Sequence, residues 1–447
     1  MKEDWIECTL GDLLKLKNGF AFKSSKYKNE GIPVLRIGDI QDWNVDIYSA
    51  KRIQESNEYD SHIVNKGDIL IAMSGATTGK FGIYNSIEKA YQNQRVGNLI
   101  PHSENYTNKK YIYYLLYSLK RDIEIGAYGG AQPNISSTKI EALKTKLFPL
   151  PIQKAIVKKI ESLFSSLDSG IADLKKAQKQ LKIYRQAVLK KAFEGELTNT
   201  KQNNKEHPDG WKRQTIRETC HNIKVGIVIK PTNFYSKDKK GIKAFRSANV
   251  REFRVNDTNW VYFSQEGNNI NKRTQVHTGD VLIVRSGYPG TSCAVREKFN
   301  NTNAIDILIA TPNQEKILPD FLCAFNNSPL GKGLFSRGSQ GVAQKHLNVG
   351  VYSKLLISYP SIKEQHEILK EIESRLSVCD KVEESIKESL EKAQALRQSI
   401  LKKAFEGKLL SEEEIAKYKQ DKDYEPASVL LEKIKAEKVS PKKKKVE

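Results

Sequence analysis

The stretch of this sequence nearest to a chemical motif is Gly75-Ala-Thr-Thr-Gly79-Lys80. A phosphate-cradling loop places four residues between its glycines and a Ser or Thr after its lysine. Here three intervene and Phe81 follows, and a second copy, Gly287-Tyr-Pro-Gly290-Thr291, has no lysine. The spacing therefore predicts a turn whose amides and small side chains allow something to approach closely. Asp68 and Asp280 are duplicated as well, but Gly-Asp before a strand is first of all a turn or a cap. The seven histidines are scattered, and Cys8, Cys220, Cys293, Cys323 and Cys379 lack zinc-like or redox-like spacing. They read as reduced cytosolic thiols. There is no Gly-rich dinucleotide fingerprint, no Asn/Asp-Pro-Pro-aromatic motif and no helicase or nuclease signature. No catalytic constellation and no metal site is expected, so the chain is not read as an enzyme in its own right.

What stands out instead is charge. Lys and Arg number 74 against 53 Asp and Glu, a net charge of +21 over 447 residues. A protein that basic usually meets a polyanion, nucleic acid first of all; the alternative is a lysine-rich solvated surface. Hydrophobic residues at 38% and aromatics at 9% are enough for folded cores, and the length suits two or three of them. The first residues, MKEDWIECTLGDLLKL, lack a signal-peptide apolar stretch, and no run nears the ~20 residues of a membrane span. A cytoplasmic protein is expected.

The elements that would carry these loops are written twice. Arg185-Gln-Ala-Val-Leu-Lys-Lys-Ala-Phe-Glu-Gly195 returns as Arg397-Gln-Ser-Ile-Leu-Lys-Lys-Ala-Phe-Glu-Gly407, an offset of 212 (397 − 185) with nine identities in eleven. Weaker matches follow the same offset with a small drift. Trp5 and Leu10 match Trp211 and Ile216. Gly31-Ile32 and Arg36 match Gly241-Ile242 and Arg246. Gly67-Asp68-Ile-Leu70 matches Gly279-Asp280-Val-Leu282, Ser74-Gly75 matches Ser286-Gly287, and Gln132-Pro-Asn-Ile135 matches Gln344-Lys-His-Leu347. Each half is a diverged block followed by a nearly unchanged helical block. Surface loops drift faster than packed helices; alternatively, the two diverged blocks do one job on different targets.

The diverged blocks, 1–150 and 208–360, mix short apolar runs with Gly, Asn and Asp turns and read as α+β globules. Ile32-Pro-Val-Leu-Arg-Ile37, Asp68-Ile-Leu-Ile-Ala-Met73 and Val281-Leu-Ile-Val-Arg285 look like strands; Tyr111-Ile-Tyr-Tyr-Leu-Leu-Tyr117 looks like part of a helix, with a strand still open. In 151–197, Ile160, Leu167, Leu174, Leu181 and Val188 recur every seven residues; in 361–410 the seam is Ile372, Cys379, Ile386, Ala393 and Ile400. Heptad spacing with polar residues between reads as a coiled-coil seam, the alternative being helices packed on their own globules. Pro151 and Pro360 precede the helices, Gly195 and Gly407 sit where C-terminal caps belong, and Gly170 is a point where the first helix can bend. Each helix spans about 40 residues, roughly 60 Å. Antiparallel pairing would set Leu181 against Cys379 and Leu167 against Ala393, and would relate the globules by a pseudo-two-fold. Residues 198–207 read as a polar linker. In the tail, 411–447, Ser411-Glu-Glu-Glu414 resembles a capping box. Ser428 to Lys438 is amphipathic, and the Lys442 to Lys445 run is basic, but ten lysines against nine acids leave the tail nearly neutral.

Two diverged globules, each followed by a long helix ending in Leu-Lys-Lys-Ala-Phe-Glu-Gly-x-Leu, resemble the specificity subunit of type I restriction–modification systems. The resemblance covers about 1–410 and extends into the tail. It also rests on Trp5 and Trp211, the Gly-Asp-Ile/Val-Leu strands, Gln132 and Gln344, and on Gln153 and Gln365 following Pro151 and Pro360. Asn93-Gln94 resembles a further family element that the second half does not keep, its counterpart being Asn303-Ala304 or Ile305-Asp306 according to the offset. The resemblance implies two target-recognition domains reading the halves of a bipartite site in double-stranded DNA, with the helices as a ruler between them. It implies two docked adenine methyltransferase subunits and motor-nuclease subunits, which would hold S-adenosylmethionine, ATP and Mg²⁺; this chain itself would need no cofactor. The alternatives are a specificity module of a combined restriction–modification enzyme and a coiled-coil scaffold that reads no DNA. By residue chemistry, the DNA-contact candidates are Arg36, Ser74, Gly75, Lys80, Arg95, Gln132 and Asn134 in the first half, and Arg246, Arg285, Ser286, Gly287, Gln344, Lys345 and His346 in the second.

Overall fold

Both halves begin with a strand that pairs antiparallel with the strand leading into a long helix: Ile6–Thr9 with Lys144–Leu147, and Lys212–Thr215 with Leu356–Tyr359. The chain therefore opens and closes each block at one place. A one-turn helix follows each opening strand because an acid caps it. Thr9 N–H donates to Asp12 Oδ2 at 2.8 Å, and Thr215 N–H donates to Glu218 Oε2 at 2.8 Å. This computed structural model describes residues 5–41, 43–127, 133–198, 210–236, 240–338 and 347–439. The expected linker 198–207, except Thr198, and the Lys442 to Lys445 run lie outside them.

The chain divides into two units, Met1–Asp173 with Ser389–Glu447, and Leu174–Glu388. In the first, a six-stranded sheet is ordered Leu14–Asn18, Val96–Pro101, Ile69–Ala72, Phe81–Ile83, Trp43–Val45, Ile40–Gln41. A four-stranded sheet is ordered Lys51–Ile53, Ile32–Leu35, Ala90–Gln92, Ile63–Val64, with the two central strands parallel. The second unit repeats the plan. One sheet runs Cys220–Val225, Ile307–Pro312, Val281–Val284, Ser292–Ala294; the other runs Val261–Phe263, Ile242–Phe245, Thr302–Ala304, Gln275–Val276, again parallel at its centre. The Tyr-rich segment is helical, Lys109–Ser118, and its tyrosines pack with Trp43 and Phe164. Asp68 and Asp280 do hold turns: Asn65 N–H donates to Asp68 Oδ2 at 2.9 Å and His277 N–H to Asp280 Oδ2 at 2.8 Å. The glycines before them, Gly67 and Gly279, have φ of 88° and 89°, which side-chain-bearing residues rarely adopt.

The long helices, Leu150–Phe193 and Ile362–Phe405, are 44 residues each, and the division between units falls inside both. Pro151 does not precede its helix but is its second residue, where a missing N–H costs nothing. Each helix ends with its last carbonyls satisfied: Glu196 N–H donates to Lys191 O and Lys408 N–H to Lys403 O, around Gly195 (φ 77°) and Gly407 (φ 81°). The first helix runs through Gly170 without a break, and open space surrounds that residue.

The helices run antiparallel within each unit. In the first, Ile160 and Phe164 share a core with Ile400, Leu401, Ala404 and Phe405. In the second, Leu189, Ala192 and Phe193 share one with Ile368 and Ile372. Of the heptad positions, Ile160, Val188, Ile372, Cys379, Ile386, Ala393 and Ile400 are buried, while Leu167, Leu174 and Leu181 are half-buried. Seam and globule are thus not alternatives, because the ends of each seam merge into the globular cores. The tail folds as Glu412–Lys419, started by the Ser411–Glu414 capping box, and Ala427–Val439. It buries Ile415, Leu430, Leu431 and Ile434 in the core of the first unit.

Candidate nucleic-acid interface

In the first unit the hairpin between Ile69–Ala72 and Phe81–Ile83 projects residues 73–80. Two other loops flank its base. Met73 N–H donates to Arg95 O at 3.0 Å on one side, and Ile135 N–H donates to Met73 O at 3.0 Å on the other. Gly75 N–H donates to Pro133 O at 2.9 Å, and Ser74 bridges Asn134. A third loop begins at Arg36, where the central strand Ile32–Leu35 ends: Asn93 N–H donates to Leu35 O, and Thr77 Oγ1 donates to Ile37 O at 3.1 Å. Four segments distant in sequence therefore bring Arg36, Ser74, Gly75, Arg95 and Asn134 together. Lys80 closes the hairpin, its N–H donating to Thr77 O. Gln132 lies outside the described residues.

The chemistry of this cluster suits an anion bordered by hydrogen-bonding groups. Arg95 is exposed, and the Ser74 hydroxyl is buried without a hydrogen-bond partner among the described residues. Arg36 is partly engaged, with Nε 3.5 Å from Asp39 Oδ2. Burial raises the Tyr27 phenol above its ordinary value, against the opposing pull of the Arg36 charge and a hydrogen bond with Asn93. Tyr27 and Asn93 thus belong to the cluster, and only the fold reveals it, since they lie 66 residues apart (93 − 27).

The second unit builds the same hairpin between Val281–Val284 and Ser292–Ala294, with Gly287 at φ 82° and Gly290 at φ 89°. Its cations are spent differently. Arg285 forms an ion pair with Asp306, and its Nε donates to Leu347 O at 3.1 Å. Arg246 donates to Asn259 O at 2.6 Å. Both side chains act within the protein, Arg285 fixing residue 347 beside the hairpin. Ser286 and Gly287 occupy the positions of Ser74 and Gly75. Gln344, Lys345 and His346 lie outside the described residues. The fold also settles the counterpart of Asn93-Gln94. Asn93 bridges Phe20 and Ile305 bridges Ile227, both parallel, so Ile305-Asp306 is the equivalent pair. The first unit has three residues, 93–95, where the second has two, 305–306, between the same two strands.

Burial raises all five thiols, those of Cys8 and Cys323 to about 12 and that of Cys220 to about 11, so none is poised as a nucleophile near neutrality. Among the described residues no group of His, Cys, Asp and Glu could hold a metal ion, and no helix is long and apolar enough to cross a membrane.

Two similar α+β units, each presenting a loop cluster and each continuous with paired long helices, define a class of two-headed recognition proteins. The comparisons identify which. The family model for the type I restriction modification DNA specificity domain matches residues 2–180 and again 208–392, so this chain belongs to that family. It is 30% identical to the type I restriction enzyme EcoBI specificity subunit of Escherichia coli, over 98% of this chain and 93% of that one. It is 25% identical to the EcoKI specificity subunit of Escherichia coli strain K12, over 98% and 97%. Among solved structures, a chain from a study of complex assembly and conformational transition of the type I R-M system shares the fold with a TM-score of 0.68, at 17% identity over 91% of this chain and 98% of that one. The HsdS subunit from Thermoanaerobacter tengcongensis shares it with a TM-score of 0.55, at 16% identity over 91% and 97%. The resemblance carried by the repeated helix ends is thereby established.

Proposed function

We propose that each unit reads one half of a split site in duplex DNA and that the paired helices set the unread distance between the halves. The chain is the non-catalytic, targeting part of a larger cytoplasmic enzyme. Two adenine methyltransferase subunits dock on it and act where it places them, and translocase–nuclease subunits join for cleavage. S-adenosylmethionine, ATP and Mg²⁺ are held by those partners. The observation that carries this reading is the duplication itself: two equivalent hairpin loops, at Ser74-Gly75 and Ser286-Gly287, stand on equivalent sheets while the side chains around them differ. Equal scaffolds with unequal loops suit two different half-sites. The net charge of +21 suits a phosphate backbone.

The test is an adenine-methylation map of the native host genome with this gene intact and deleted. Loss of one split motif on deletion is the expected result. An unchanged map in a host whose methyltransferase partner is expressed would overturn the reading. Binding by the assembled complex should also weaken steeply with salt, as phosphate contacts release counterions.

A further inference from the structure

The hairpin of the second unit ends in a ring that packing does not explain. Tyr288 is 83% exposed. Its turn is nevertheless firmly built. Gly287 and Gly290 both take positive φ, and Pro289 between them fixes its own backbone. Gly290 N–H donates to Val284 O at 3.0 Å, and Thr291 N–H donates to Tyr288 O at 3.2 Å. The turn is also clamped from behind: a Cβ on Gly290 would stand 2.2 Å from the Phe335 ring, so only glycine lets the loop sit that close to the helix Pro329–Gly338. The ring is thus presented outward from a fixed base. Little backbone freedom remains to be lost when it meets a ligand.

The equivalent tip in the first unit is chemically unlike it. Between Gly75 and Gly79 stand Ala76, Thr77 and Thr78, and both threonine hydroxyls turn inward, Thr77 to Ile37 O and Thr78 to Gly75 O at 2.6 Å. The two hairpins agree in their stems and differ at their tips, as two readers of different sequences would. Among the described residues of the second unit, the two candidate arginines offer little to a base edge, since Arg285 pairs with Asp306 and Arg246 is bonded to Asn259 O. The tip therefore presents a flat apolar face with one hydroxyl. That combination suits a thymine methyl or an unstacked base, with the hydroxyl able to donate or accept at a base edge.

We infer that Tyr288 is a specificity-determining residue of the second unit, in direct contact with a base pair of the second half-site. This rests on the reading that the units recognise split DNA sites. The experiment uses the assembled methyltransferase complex with wild-type chain, Tyr288→Ala or Tyr288→Phe, acting on duplexes randomised at every position of both half-sites. If the wild-type complex shows no split preference, the functional reading fails, whatever Tyr288 does. Given a split preference, Tyr288→Ala should lower discrimination about tenfold at one or two adjacent positions of the second half-site, leaving the first half-site unchanged. Tyr288→Phe should retain the part of that preference due to the ring. Because the side chain is exposed, both variants should melt as wild type does. Three results would overturn the inference: unchanged profiles in both halves, an equal loss across all sequences as for a backbone contact, or failure of the variant chain to assemble with its partner subunits.

Discussion

Arg185 of the first long helix donates to Asp380 of the second at 2.6 Å, and its duplicate 212 residues later, Arg397, forms an ion pair with Asp168, the duplicate of Asp380. One pair of residue types therefore fastens the antiparallel helices twice, once in each unit. Each arginine has a second partner: Arg185 reaches Glu383 at 3.0 Å, and Arg397 lies 4.7 Å from the centre of the Phe164 ring. The carboxylates are largely exposed, so each ion pair should contribute only about 0.5–1 kcal/mol. Arg185→Asp should cost more than Arg185→Ala, because it sets three acids together. Adding Asp380→Arg should recover most of the difference. A double-mutant cycle by urea unfolding measures the coupling; a coupling indistinguishable from zero would show that the apolar seam alone sets the helix register.

Gln153 and Gln365 fasten each long helix to its globule. Both are fully buried. The Gln153 amide accepts from Asn108 N–H at 2.9 Å and donates to Phe148 O at 2.7 Å; that of Gln365 accepts from Leu318 N–H at 2.9 Å and donates to Lys316 O at 2.8 Å. Alanine at either position strands a buried backbone N–H and buried carbonyls, at an expected cost of about 2–3 kcal/mol. Glu should be no better, since an ionised carboxylate cannot donate. Hydrogen exchange should locate each loss: Gln153→Ala should speed exchange at the start of the helix Lys109–Ser118, and Gln365→Ala at Pro319–Asn327. Wild-type protection in both variants would refute the role.

How much of this was legible depended on how local the signal was. The 3.5-residue periodicity and the terminal glycines give the helices and their ends, because capping and seam burial act within a few turns. The duplicated Gly-Asp turns were equally readable, since the aspartate closes its own loop. Gln153 and Gln365 were visible as repeated residues, but the backbone N–H groups they accept from lie 45 and 47 residues away and the sequence does not name them. The docking of the tail on the first unit was likewise hidden, although its capping box was plain. Among the candidate DNA contacts, residue chemistry singled out Arg285, and the fold shows that charge committed to Asp306. Tyr288 carried no sequence signal of its own, because exposure is a property of the fold.

The spacing role makes the most direct demand on the helices. One heptad inserted into each keeps both seams in phase and adds about 10 Å to each helix at 1.5 Å per residue. At about 3.4 Å per base pair this equals about three base pairs. The complex carrying both insertions should therefore methylate sites whose unread spacer is longer by about three base pairs, with both half-site sequences unchanged. A heptad in only one helix leaves a length of seam unmatched and should cost stability without producing a new defined spacer. Sequencing methylated products from duplexes with graded spacers would read the outcome. Full activity on the original spacer with both insertions in place would mean that the helices hold the units together without measuring anything between them.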